Sequence, residues 1–334
     1  MLFRSRDTAY VLLLLGPLPQ AGFSQALGRV WRVGYLAPNP TDSSANRLRF
    51  GSFQQRLREL GYVQGKNLIL EFRSTGGDDA RLGELISELL RAKVDVLVTG
   101  GSTPATVAAK LATLSVPIVF AASADPVGAG LVQTLSRPGG NVTGLSLFSP
   151  ELGTKRLQLL RDFIPKLKRV SVLFNGSNPV SASQRKEIAD AGASLGTQLD
   201  FIDCTNLGDL EAHFDRLAKP EVVGVKAAMC LQDPFFLTHR DRILALINTF
   251  RIALITPWSE MTDAGALISY GPEAQHLFVR AADYVDRILN GANPASLPVE
   301  QPTLFELVVN AITAKSLALQ IPRYVASRAD RVIE

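Results

Sequence analysis

The sequence predicts an α/β protein of two doubly wound parallel-sheet lobes. Three observations carry that expectation. Short, fully apolar runs alternate with helical stripes, the alternation restarts half-way along the chain, and the runs end in small polar residues with Pro or Gly. Continuous apolar strands separated by helices belong to a parallel sheet covered on both faces. A chain of 334 residues has room for about two such domains.

The elements follow in order. "WRVGYL" (Trp31–Leu36) is a strand, after which Phe50, Phe53, Leu57 and Leu60 share one helical face that Gly61 closes as a C-cap. "NLILEF" (Asn67–Phe72) is the next strand. Leu82, Leu85, Ile86, Leu89 and Leu90 form an i, i+3, i+4, i+7, i+8 stripe. "VDVLVT" (Val94–Thr99) is a third strand, and a helix starting near Pro104 leads to "VPIVFAA". The second round opens with "KRVSVLFN" (Lys168–Asn175), followed by a helix to Leu195-Gly196 and then "QLDFIDC", "GVKAAMC" and "IALITP". The Arg32-to-Gly61 and Arg169-to-Gly196 spacings differ by two residues, which marks a repeated architecture at low identity.

Composition narrows the function. The net charge is +4, but Lys and Arg are dispersed, so no basic block points to nucleic acid. His213, His239 and His276 lack zinc-ligand spacing, and no metal or cofactor is expected. The chain has no Gly-Lys-Ser/Thr phosphate loop, no GxGxxG fingerprint and no Gly-x-Ser-x-Gly elbow. Cys204 and Cys230 each end an apolar run. In the commonest strand order those runs flank a third strand, so two buried free thiols are expected.

The N-terminus reads as a targeting segment. Arg4 and Arg6 precede "AYVLLLLGPLP" and "QAGFSQALG", the pattern of a secretory signal peptide over residues 1–26 with cleavage near Ala26. The apolar run is short of the roughly 20 residues that a spanning helix needs. An exported mature chain is the expectation.

In open parallel sheets ligands bind beyond the carboxyl ends of the strands. Those ends are "APNPTDSS", "GGSTPAT", "ASADP", "NGSNP", "LQDPFF", "PWSE" and "SYGP". "GGSTPATVAAK" (Gly100–Lys110) opens a helix with Ser102 or Thr103 as N-cap and Pro104 at N1. Its positive end suits a carboxylate, or serves capping alone. Asp233 in "LQDPFF" either binds a ligand ammonium or caps the helix that Pro234 starts. Asp125 in "ADPV" presents the same choice, with capping favoured. Trp258 in "PWSE" offers an aromatic face beside a hydrogen-bonding pair, or packs in the core.

"ADPVGAGLVQTLSRPGGNVTGLSLFSPELGTKRLQLLRDFIPKLKRVSVLFN" resembles the most characteristic block of the ABC-transporter substrate-binding proteins of tryptophan/tyrosine type. "LRELGYVQGKNLILEFR", "GALISYG", "LNGANPASLPVEQPTLFELVVNAITAKSLAL" and "ASRADRVIE" extend the resemblance over the chain from about Arg29 onward. It implies a type I periplasmic-binding fold with a multi-strand hinge crossed near Leu147, Tyr270 and Glu300. Lobe 1 would comprise residues 29–146 plus 272–300, and lobe 2 residues 147–271 plus 301–334. Ser102, Thr103, Ser123 and Asp125 would form one wall of the site. Asn175, Asn178, Gln232, Asp233, Trp258, Glu260 and Tyr270 would form the other.

The function implied is a periplasmic, monomeric solute receptor that delivers a small polar or amino-acid-like ligand, aromatic ones included, to an ABC permease and its ATPase. For an amino acid, Ser102, Thr103 and the helix N–H groups would take the carboxylate, Asp233 the ammonium, and Trp258 or Phe235 would cover the apolar part. A periplasmic sensor feeding a membrane signalling receptor would share the fold. An exported enzyme would need a nucleophile–base pair, which the sequence does not offer. Two segments depart from the aromatic amino-acid binders: Asp233 has Gln232 and Pro234 as neighbours where they carry a Thr-Asp-Asn-like triplet, and "PWSE" stands where they have a smaller loop.

Overall fold

The computed structural model describes residues 29–40, 42–147, 151–217 and 226–334. The expected signal peptide lies outside the described residues. The first round of the chain builds β1 (Trp31–Ala37), α1 (Ser44–Glu59), β2 (Leu68–Ser74), α2 (Leu82–Arg91), β3 (Val96–Thr99), α3 (Thr103–Ala112), β4 (Ile118–Ser123) and β5 (Val142–Ser146). The second builds α4 (Glu151–Phe163), β6 (Arg169–Phe174), α5 (Ser181–Leu195), β7 (Gln198–Asp203), α6 (Leu207–Leu217), β8 (Lys226–Cys230), α7 (Pro234–Thr238), α8 (Arg240–Phe250), β9 (Ile252–Thr256), α9 (Ser259–Asp263) and β10 (Ile268–Pro272). The chain ends with α10 (Ala274–Leu289), β11 (Phe305–Asn310), α11 (Ala311–Ser316), α12 (Arg323–Ala326) and β12 (Arg331–Ile333).

Two sheets result, ordered β2-β1-β3-β4-β5 and β12-β11-β10-β9-β8-β6-β7. Strands β3, β4 and β9 are buried along their whole length, which is why their sequences are nearly all apolar without alternation. The stripe read in the sequence packs Leu82, Leu85, Ile86 and Leu89 of α2 into one core of the first lobe. Helix α5 stops where Gly196 takes a left-handed conformation (φ 62°) and its N–H turns back to the last carbonyls. Cys204 and Cys230 follow or end strands that lie on either side of β6, and both are buried free thiols.

The second sheet departs from the all-parallel expectation at one pairing, because β11 runs antiparallel to β10. The cause is the path between them. After β10 the chain crosses to the first lobe, where α10 buries Phe278, Ala281, Ala282 and Val285 against Val33, Tyr35 and Phe53. It then returns past Glu300, whose backbone pairs with Gly144 and Ser146 beside β5, and re-enters the second sheet from the opposite direction. The chain thus passes between the sheets after β5, after β10 and before β11. Among the described residues no helix is long and apolar enough to cross a membrane.

Gly144 shows how tightly this crossing is built. It pairs with Phe120 of β4 at φ 151°, and a Cβ there would press into the Phe120 carbonyl oxygen. Gly144→Ala should therefore cost about 2–3 kcal/mol of stability, the scale of backbone strain plus a forced shift. Urea unfolding would show this as a lowered midpoint, and an unchanged midpoint would contradict it.

Candidate functional site

The carboxyl ends of the strands in the two sheets face one another across a narrow cavity that is partly open to solvent. The first lobe contributes Thr103 at the start of α3, Ala122 and Ala124 at the end of β4, and Arg49 from α1. The second contributes Asn178, Gln232, Asp233 and Trp258, while Leu277 and Phe278 reach in from α10.

Asp233 is the most constrained group there. It is the N-cap of α7, its Oδ1 accepting the Phe235 N–H at 2.7 Å. Capping is therefore one role of this residue, and the capping carboxylate also lines the cavity. Asn178 Nδ2 donates to Oδ2 at 2.6 Å, and Asn175 Nδ2 donates to Oδ1 at 3.3 Å. Only 5% of the residue is exposed. Burial pushes its carboxyl pKa up, and the hydrogen bonds from Asn178, Phe235 and Asn175 pull it part of the way back. Among the described residues no cation pairs with it. A groove outside the cavity adds Asp78 and Asp79 beside Asp233, so the approach is acidic.

The other expected residues divide into several groups. Thr103 faces the cavity and its Oγ1 lies 3.2 Å from Ser123 Oγ, which places fully buried Ser123 behind the wall. The Ser102 hydroxyl accepts the Ala105 N–H as the α3 N-cap, and Ser102 and Asn175 line the adjoining groove. The Asp125 carboxylate accepts the Gly128 N–H at 2.8 Å and closes its own turn. Tyr270 sits outside the cavity lining, its ring stacked on Phe305 and its carbonyl accepting from Arg156 Nε at 2.7 Å. Glu260 also lies outside the lining, because it is paired with Arg49 Nη2 at 2.9 Å. Phe235 lines the outer groove and packs edge-on against Phe236.

Sequence reading missed Arg49, Leu277 and Phe278. Two signals were available. Arg49 stands four residues before Phe53 and eight before Leu57, a lone charge on the buried face of α1. Leu277, Phe278, Ala281, Ala282, Val285 and Ile288 form a helical stripe.

Three polar contacts hold the lobes together around the cavity: Arg49 to Glu260, Asn39 Nδ2 to Thr238 Oγ1 at 2.9 Å, and Arg240 Nη1 to Ser44 Oγ at 2.8 Å. Among the described residues no group of three or more His, Cys, Asp or Glu is arranged to hold a metal ion.

This geometry coincides with a family match. The family model described as "ABC transporter substrate binding protein" matches residues 41–333. The chain belongs to that family. A "Tyrosine-binding protein" of Clostridioides difficile is 26% identical over 289 residues, covering 86% of this chain and 80% of the relative. The crystal structure of a conserved domain protein from Vibrio cholerae superposes with a TM-score of 0.84 at 27% identity, covering 91% of this chain and all of the other. An ABC domain from Streptococcus pneumonia in complex with L-Trp gives 0.83 at 24% identity, with the same coverage. The substrate-binding protein described here therefore has the type I periplasmic-binding fold, with two lobes around one cleft.

Beside its cleft lies a buried Arg156, held down to a pKa of about 10 by burial, with Nη2 unpartnered. Nearby Glu187 is half-buried, and burial raises its carboxyl to about 7 against the ordinary 4.5. Between those values the folded chain keeps a proton that the unfolded chain has released, so stability falls as pH rises from about 4.5 to about 7. Glu187→Gln should flatten that part of the profile. Urea midpoints at pH 5 and pH 8 would check this, the drop being smaller in the variant than in the parent protein.

Proposed function

We propose that this substrate-binding protein is an exported, periplasmic receptor of an ABC importer, and that it captures an α-amino acid with an aromatic side chain between its lobes. The observation that carries the reading is Asp233, a buried carboxylate fixed by three donors, facing the interlobe cavity and lacking a protein cation. A ligand ammonium supplies the missing charge. The ligands named for its relatives, tyrosine and L-Trp, belong to the same chemical class. Half-buried Trp258 and buried Phe278 and Leu277 supply apolar surface for a ring.

The remaining groups follow from where they sit. The first-lobe wall at Thr103 and the positive end of α3 face the carboxylate end of such a ligand, while the Ser102 hydroxyl stays on its cap. Ligand meets one lobe, and closure brings the other wall over it and expels water, which strengthens each charge-assisted bond. The closed form must bind ligand better than the open form for this to shift the balance. The loaded, closed receptor is the form that docks on a permease, whose ATPase partner supplies the energy.

Asp233→Asn keeps the shape and removes the charge. Calorimetry with L-tryptophan or L-tyrosine should show binding weakened by about 2–5 kcal/mol, as expected for a buried charge pair. Unchanged affinity would remove Asp233 from the site.

A second measurement uses pH. Binding needs the ionised carboxylate, and Asp233 holds its proton to higher pH than the ordinary 3.8. Affinity of the parent protein should therefore fall on acidification while still above the normal carboxylate range, and Asp233→Asn should lose that dependence. A parent profile that stays flat down to about pH 4 would contradict the assignment.

A further inference from the structure

We propose that Arg49 determines specificity for the ligand's carboxylate, with Glu260 as its positioning residue, so that the site separates an α-amino acid from the amine that lacks the carboxylate. This rests on the amino-acid reading above and names the second charged contact.

Among the described residues, Arg49 and Asp233 are the two charged side chains that line the cavity. A zwitterion carries the complementary pair, and each lobe contributes one member of the protein's pair. Arg49 sits on the buried face of α1 with 8% of its surface exposed, and its guanidinium lies 5.8 Å from the centre of the Phe278 ring. Nη2 donates to Glu260 Oε1 at 2.9 Å, whereas buried Nε has no partner. A buried donor left without an acceptor is destabilising, and a carboxylate entering the cavity provides one. A guanidinium is suited to this task because its fixed fork of donors matches the two oxygens of a carboxylate.

Glu260 explains how the fork is aimed. It comes from α9, across the cleft from α1, and is itself buried with Oε2 unpartnered. The pair therefore forms only when the lobes meet. Contact with Glu260 and Phe278 fixes the guanidinium where Arg49 lines the cavity. Arg49 thus touches ligand, and Glu260 acts through Arg49.

An amine with the same ring would satisfy Asp233 and leave the Arg49 donor unpaired. Sites built to hydrogen-bond one group reject analogues that lack it by large factors. The purified protein should be titrated calorimetrically with L-tryptophan, L-tyrosine, tryptamine and tyramine, in parent form and as Arg49→Gln, Arg49→Lys and Glu260→Gln. The parent should prefer each amino acid over its amine by about 100-fold or more. Arg49→Gln should bring that ratio below about tenfold while amine affinity stays within about twofold of the parent's. Arg49→Lys, which keeps the charge and loses the fork, and Glu260→Gln, which loses the aim, should fall between.

Circular dichroism establishes that each variant is folded, and if Arg49→Gln is not, Arg49→Lys decides. A parent-like ratio in the folded Arg variants overturns the inference. So does an equal loss of amino acid and amine, because the pair would then serve closure alone. A parent protein that binds amino acid and amine equally well overturns the inference and leaves the receptor reading standing. Binding of none of the four probes overturns the amino-acid reading and this inference with it.

Discussion

A carboxylate kept out of water without a cation of its own organises this molecule. Moving Asp233 into a protein cavity disfavours its charge, and the fold answers with donors instead of a counter-ion. The α7 N-terminus supplies one N–H, and Asn175 and Asn178 after β6 supply two side-chain amides. Each comes from the loop at a strand's carboxyl end, the place where a parallel sheet leaves its backbone open to partners. The arrangement stabilises the charge only in part, and a cationic ligand would complete it.

The opposing lobe is shaped by the same requirement. Its wall is mostly small and apolar at Ala122 and Ala124, with Thr103 as the hydroxyl that faces inward and Ser123 buttressing it. Small residues there keep room for a ligand between walls that already touch through Arg49–Glu260 and Asn39–Thr238. Helix α10 adds the third side. It belongs to the second sheet by sequence order and to the first lobe by packing, and its first turns bring Leu277 and Phe278 to the cleft.

Most of the architecture was legible in the chain. Buried parallel strands must be apolar on both faces, so β1, β3, β4, β6, β8 and β9 were visible as continuous runs, and α2 as a stripe. The antiparallel return at β11 was not legible. Its direction is set by where α10 packs and not by anything in "FELVVN" itself. The site showed a similar division. Asp233, Asn178, Gln232, Thr103 and Trp258 line the cavity from segments just after strands, a place that sequence can locate. Asp125 follows β4 but closes its own turn, and Tyr270 lies in the middle of β10 and stacks on Phe305.

By itself the sequence determined the two-lobe α/β plan, the strand ends that line the cleft, and the absence of a phosphate loop or catalytic elbow. Those properties are local, written in periodicity and in the identity of residues that neighbour one another along the chain. Only the tertiary structure decided which candidates share a cavity, that Glu260 is committed to Arg49 across the lobes, and that Phe278 joins them from α10. Those depend on contacts between residues some two hundred positions apart for the ion pair. Such contacts leave no spacing rule behind, because packing sets them and the sequence between them is free to vary.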